Sequence, residues 1–136
     1  MRRLQIERVH GPARRAVVKG ILAFNKGALG KTDYRPLTIT LRNGKEIVGG
    51  LVGTTWQGWF YIDVLWISDK YRGKGYGTSL MKKAESEARK RGVRNTYLNS
   101  FSFQAPAFYK KLGYKEYGRL KDFPAGHTRY WFTKAL

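Results

Sequence analysis

The 136-residue sequence contains no cysteine and only two histidines, His10 and His127. Without cysteine there is no disulfide, no thiol nucleophile and no thiolate metal site, and two histidines are too few for a multi-histidine zinc centre. Long apolar runs are missing too. The longest, residues 59–67, holds Asp63 and falls short of the roughly 20 residues a membrane-spanning helix needs. Met1-Arg2-Arg3 is not followed by an apolar region, so no secretion signal is expected and the expected compartment is the reducing cytoplasm. Acidic residues are also scarce: 9 Asp+Glu stand against 27 Lys+Arg, a formal charge of +18.

That charge is uneven. Residues 1–35 carry 9 basic and 2 acidic side chains (+7), residues 36–69 carry 2 and 3 (−1), and residues 70–136 carry 16 and 4 (+12). Such a field favours polyanions: nucleic acid, an anionic surface or a phosphate-bearing small molecule. At 42% hydrophobic and 15% aromatic the chain has enough apolar material for one packed core, and its length suits one domain spanning residues 1–136.

Residues 3–9 alternate polar and apolar and read as a first strand. Gly11-Pro12 breaks it and opens a helix over residues 12–26, with Ala16, Val17, Gly20, Ile21 and Phe24 at helical spacing. Asn43-Gly44 between residues 37–41 and 46–54 marks a hairpin. Gln57-Gly58 turns the chain into residues 59–68, the most apolar strand and the expected sheet centre. A helix over residues 76–91 points Leu80, Met81, Ala84 and Ala88 inward and shows Glu85–Arg89 and Glu87–Arg91 pairs on its exposed face. A strand (96–101), a short helix (105–112), a strand (114–120), a turn (122–127) and a last strand (129–134) complete the order β-α-β-β-β-α-β-α-β-β. The expected class is one α/β domain with a mixed sheet.

Two phosphate-binding patterns are tempting and fail. Gly30-Lys31-Thr32 ends like a nucleotide P-loop, but that motif needs glycine where Asn25 stands, with a strand before it and a helix after. In Gly73-Lys74-Gly75-Tyr76-Gly77 the third glycine comes one residue too early for a dinucleotide fingerprint. What fits is Arg72-Gly73-Lys74-Gly75-Tyr76-Gly77 between the most apolar strand and a long helix. Glycines let successive backbone N–H groups turn toward one anion, the helix start adds the positive end of its dipole, and Arg72, Lys74 and Lys70 add charge. The hexapeptide reads as a pyrophosphate cradle, or more simply as a glycine-rich turn with solvated bases.

Residues 65–77, from Leu65-Trp66-Ile67 through Arg72-Gly73-Lys74-Gly75-Tyr76-Gly77, resemble the strand, [RQ]-x-x-G-x-[GA] loop and helix of the GNAT superfamily of N-acetyltransferases. A second block about thirty residues on, Ala105-Pro106-Ala107-Phe108-Tyr109-Lys110-Lys111-Leu112-Gly113-Tyr114, is similar to that family's A-x-x-F-Y-x-x-L-G-[FY] helix and strand. Ser100-Phe101-Ser102-Phe103-Gln104-Ala105 and Asp122-Phe123-Pro124-Ala125-Gly126-His127 look like a compact bacterial branch. The resemblance covers residues 36–136; the first 35 match in element order alone. It implies a mixed, mostly antiparallel sheet flanked by helices, with a splay between the central strand and the strand after the main helix.

The resemblance further implies acetyl-CoA as co-substrate and direct attack of an amine on its thioester. The backbone of Gly73, Lys74, Gly75, Tyr76 and Gly77, with the Arg72 side chain, would hold the pyrophosphate. The Leu65, Trp66 and Ile67 backbone would pair with the pantetheine arm, and an N–H near Trp66 or Ile67 would stabilise the oxyanion. Tyr109 aligns with the family's general acid. Ser102 stands where the family often has Asn, so its bond to pantetheine or acceptor is open.

For a general base, Asp63 in the apolar strand is a candidate beside a purely structural role, His127 is more easily a turn residue, and a water chain would need neither. His10 is expected to be exposed. Trp56, Trp59, Tyr61, Phe101, Phe103 and Trp131 would line an acceptor pocket or, for most of them, pack the core.

The leading expectation is an acetyl-CoA-dependent N-acetyltransferase of an unidentified primary amine, without metal or membrane, monomeric or homodimeric. The alternatives are a basic nucleic-acid-binding module, an acetyltransferase whose acceptor sits on RNA or a ribosomal particle, an acidic or nucleic-acid surface as partner, and an acyl-CoA sensor without activity.

Overall fold

The computed structural model describes residues 2–9 and 11–136; the reading of His10 lies outside them. The chain divides into two compact units, Met1–Thr32 and Asp33–Leu136.

In the first unit, Gly11 at φ 100° leads into Pro12, whose ring presets the first helical turn, and α1 runs over Pro12–Leu29. Gly27 does not stop it; Gly30 does, at φ 65°, with its N–H donating to the Lys26 carbonyl. None of the α1 residues is buried. The strand expected over residues 3–9 does not form, and Leu4 and Ile6 are exposed. Alternation specifies which side chains share a face, but a strand also needs a neighbour to take its backbone groups.

The second unit contains β1 (Arg35–Asn43), β2 (Glu46–Trp56), β3 (Trp59–Ile67), α2 (Tyr76–Lys90), β4 (Asn95–Phe101), α3 (Pro106–Lys111), β5 (Lys115–Lys121) and β6 (Thr128–Ala135). They build one sheet in the order β1-β2-β3-β4-β6-β5, antiparallel except where β3 meets β4. The α/β class, the mixed sheet and the central place of β3 therefore agree with the sequence reading. Both expected hairpins close tightly. Gln57 and Gly58 both take positive φ, 50° and 82°, the twist that a two-residue connection between strands favours.

The core lies between the sheet and α2. Leu51, Phe60, Ile62 and Leu98 face Met81, Ala84 and Ala88, and Leu80 is buried as expected. One helix residue departs from expectation: Glu85 is 4% exposed. It lies four residues after Met81 and three before Ala88, so helical geometry puts it on the inner face. Its partners are the Tyr114 hydroxyl at 2.7 Å and Lys134 Nζ at 3.0 Å, not Arg89. The Glu87–Arg91 pair does form, at 3.8 Å.

Candidate active site

The parallel ladder between β3 and β4 is short. It pairs Trp59–Ile62 with Asn95–Leu98 and then stops. Past that point β3 stays paired with β2 as far as Ile67, and β4 with β6 as far as Phe101, so the two central strands part while each keeps its outer neighbour. A bulge marks the place. Val52 opposes Val64 and Gly53 opposes Ile62, leaving Asp63 as the extra residue of β3. A bulge bends its strand and sharpens the local twist. Gly53 permits the close approach, because a Cβ there would stand 2.5 Å from the Tyr61 carbonyl oxygen. The expected splay is thus present, and the inner backbone edge over residues 63–67 is open to a strand-like ligand.

The gap opens into a cleft of about 820 Å³. One end is the glycine loop. Gly73 and Gly75 take φ 73° and 85°, and a Cβ on either would meet nothing within 4 Å, so backbone conformation and not space demands glycine there. Gly75 is the N-cap of α2, with no side-chain cap and no acidic residue in the first turn. The first N–H groups of a helix have no intrahelical acceptor, so this end of α2 offers free donors and the positive end of its dipole. Gly77 has a packing reason instead: a Cβ would come within 3.3 Å of the Phe108 ring, so its absence lets α3 sit against the start of α2. Arg72 ties the loop to β3. Its Nε donates to the Ile67 carbonyl at 2.8 Å and its Nη1 pairs with Asp69 at 2.9 Å.

Tyr109 lies in the opposite wall, where the rings of Phe108, Tyr114 and Phe132 close over it. It is 9% exposed, and burial pushes its hydroxyl up to about 12. Asp63 lines the cleft where the strands part. Its side chain is exposed, and no hydrogen bond or ion pair engages its carboxylate among the described residues. Across the gap, Asn99 donates from Nδ2 to the Tyr61 hydroxyl oxygen at 3.2 Å and accepts at Oδ1 from Arg129 Nε at 2.8 Å. Arg129 is itself held against the rings of Phe101, Phe123 and Trp131 at 4.8–4.9 Å.

Of the residues expected in the site, the cleft brings together Asp63, Leu65, Trp66, Ile67, Arg72, Gly73, Gly75, Tyr76, Gly77 and Tyr109. Lys74 is not in the lining, and its Nζ sits 5.9 Å over the Tyr71 ring. Ser102 is outside as well. It follows the end of β4, where its Oγ accepts from the Thr128 N–H at 3.1 Å and lies 3.3 Å from His127 Nδ1. The buried hydroxyl that does face the cleft is Ser100.

The six aromatics expected mostly in the core are not buried. Phe60 and Ile62 point toward α2, so Trp59 and Tyr61 must point the other way, and Phe103 alone of the six lines the cleft. Asn99, Thr78 and Gln104 also line it. Asn99 is the first β4 residue past the last one paired with β3, a position that the sequence by itself does not mark.

A glycine loop with free N–H donors, two parting strands and a buried phenol thus share one cleft. The model described as "Acetyltransferase (GNAT) family" matches residues 12–114. The chain belongs to that family. An acetyltransferase from Bacillus cereus ATCC 14579, solved at 1.9 Å, is 35% identical and superposes with a TM-score of 0.91 over 98% of both chains. The blasticidin-S acetyltransferase of Streptomyces morookaense is 37% identical over 110 residues, 76% of this chain and 80% of its own. An acetyltransferase-fold protein of Bacillus anthracis str. Ames, solved in complex with acetyl coenzyme A, shares the fold at 19% identity and a TM-score of 0.66, covering 74% of this chain and 62% of that one. This GNAT protein is an acetyl-CoA-dependent N-acetyltransferase. No helix among its described residues is long and apolar enough to cross a membrane.

Proposed function

We propose that the enzyme transfers acetyl to a primary amine by direct attack within a ternary complex, and that residues 1–136 act as one acetyltransferase domain. The observation that carries this reading is the joint presence of Asp63 and Tyr109 in the lining of the cleft that opens where β3 and β4 part. When bound, acetyl-CoA supplies an activated acyl group on a thiol leaving group.

The chain's own groups divide the remaining work. The free N–H donors around Gly73, Gly75 and the first turn of α2 take the pyrophosphate. The open edge at Leu65, Trp66 and Ile67 takes the pantetheine arm, with one N–H placed to receive oxyanion charge. Arg72 spends two of its nitrogens inside the loop, so its larger contribution is to fix the cradle against β3.

Tyr109 donates the proton that the departing sulfur needs. A phenol held at about 12 stays protonated throughout the neutral range. The dry wall that disfavours the phenolate also disfavours a thiolate beside it, so donor and acceptor shift in the same direction.

Asp63 attracts and orients the acceptor ammonium. The exposed carboxylate holds the ammonium by charge, and the proton the amine must lose before attack leaves through water.

Thermal unfolding with coenzyme A and with RNA, in parallel at low and moderate salt, tests the reading. Coenzyme A is expected to raise Tm at both salts, and Arg72→Ala to lose most of that rise. No rise with coenzyme A, with a salt-resistant rise from RNA, would replace acetyl transfer by nucleic-acid binding.

A further inference from the structure

The mechanism leaves unused a group of phenols on the sheet face opposite α2. Tyr61 points away from the buried pair Phe60 and Ile62, and its cross-strand partner Tyr97 shares that face, with the rings 4.9 Å apart. Tyr117 comes from β5, where the register shifts between Glu116 and Gly118, and is 57% exposed. Desolvation first and Tyr61 second hold the Tyr97 hydroxyl above its usual range. Desolvation, then Tyr97 and Tyr61, do the same for Tyr117. The Tyr61 and Tyr97 rings are thus in direct contact, and the Tyr117 hydroxyl lies within electrostatic reach of both.

This group meets the catalytic cleft at Asn99, which bonds the Tyr61 hydroxyl and lines the cleft together with Asp63. Both amide atoms of Asn99 are occupied, so it positions the wall. The groups left to meet a ligand are the partly exposed ring surfaces and the Asp63 carboxylate.

Resting on the acetyl-transfer reading above, we infer that Tyr61, Tyr97 and Tyr117 form the acceptor subsite, and that the acceptor is a small primary amine bearing a flat ring a few bonds away. Its ammonium meets Asp63 and its ring lies on the phenols. Ring faces and edges reward a planar body by specific aromatic contact. One free carboxylate in a chain of charge +18 accommodates one positive charge, and each further charge on the acceptor meets net repulsion. Polyamines and lysine-rich peptides are thereby disfavoured.

The test measures kcat and KM at saturating acetyl-CoA for tyramine and tryptamine, for butylamine and spermidine, and for a lysine-containing peptide. The ring amines are expected to exceed the others in kcat/KM by about tenfold or more, the product of two or so aromatic contacts. Tyr117→Leu, at an exposed position, is expected to raise KM for ring amines about three- to tenfold with kcat nearly unchanged, and to leave butylamine unaffected. Asp63→Asn is expected to raise KM for every amine. Preference for spermidine or the peptide, or a Tyr117→Leu effect equal on tyramine and butylamine, overturns the inference. If coenzyme A stabilises the protein and no ring amine releases thiol, the inference falls and the cofactor reading stands. If coenzyme A itself fails to bind, both fall.

Discussion

Three rings close over the Tyr109 side chain, and the lost water holds its hydroxyl at about 12. Tyr109→Phe keeps the packing and removes the proton. It is expected to lower kcat by about 10²–10⁴ with coenzyme A affinity nearly unchanged, as measured by steady-state kinetics and calorimetry. An unchanged kcat would remove Tyr109 from the acid role. The pH dependence follows with a definite sign. The folded value lies above the ordinary 10, so the stability this group contributes is complete below about pH 10 and is lost as pH rises through about 12. No limb of the rate profile below about pH 10 belongs to Tyr109. Gly75 gives the second prediction at this scale. It occupies φ 85° with open space around a would-be Cβ, so Gly75→Ala meets backbone strain alone. A loss of about 1–2 kcal/mol in stability and a higher KM for acetyl-CoA are expected, read by denaturant titration and kinetics.

Between elements, Glu85 on α2 joins Tyr114 after α3 to Lys134 on β6, and the Tyr114 N–H donates back to the Tyr109 carbonyl. The carboxylate thus fixes the segment that carries Tyr109. Glu85→Ala leaves a half-buried ammonium and a buried phenol without their partner. It is expected to cost about 3–5 kcal/mol in a denaturant titration, whereas a surface helix pair would cost under about 1 kcal/mol. The sequence placed Glu85 outside because Arg89 stands four residues on. Its neighbours at positions 81, 84 and 88 held the opposite and stronger signal. Alternation likewise suggested a strand over residues 3–9, although no spacing rule says whether a partner edge exists. The glycine loop was legible as a backbone turn before a helix because its requirement is local, positive-φ positions at Gly73 and Gly75 ahead of α2. The bulge at Asp63 was not legible, since it depends on how three strands meet. The position of the splay entered only through the resemblance to GNAT proteins.

Across the whole molecule, the charge of +18 first pointed to polyanions in general, and the cleft narrows that to a cofactor bearing phosphates. Residues 70–94 hold nine basic and two acidic side chains, a local +7, yet among them Arg72 is the basic residue that lines the cleft. The other bases act at a distance, and distance determines what they can change. Exposed charges more than about 10 Å away are screened at 0.1 M salt, and such a field accelerates encounter more than it strengthens the bound state. The N–H groups proposed to hold the pyrophosphate would act by contact and be hardly screened. Coenzyme A association should therefore slow by about tenfold or more between roughly 20 and 500 mM salt, while dissociation changes by less than about threefold. Lys82 and Lys83 on the exposed face of α2 test this without touching the cradle. Reversing both to Glu is expected to lower the association rate at low salt, to leave dissociation unchanged, and to lose its effect at high salt in stopped-flow measurements. A change in dissociation would mean that these lysines touch the cofactor and that the field is not their means of action.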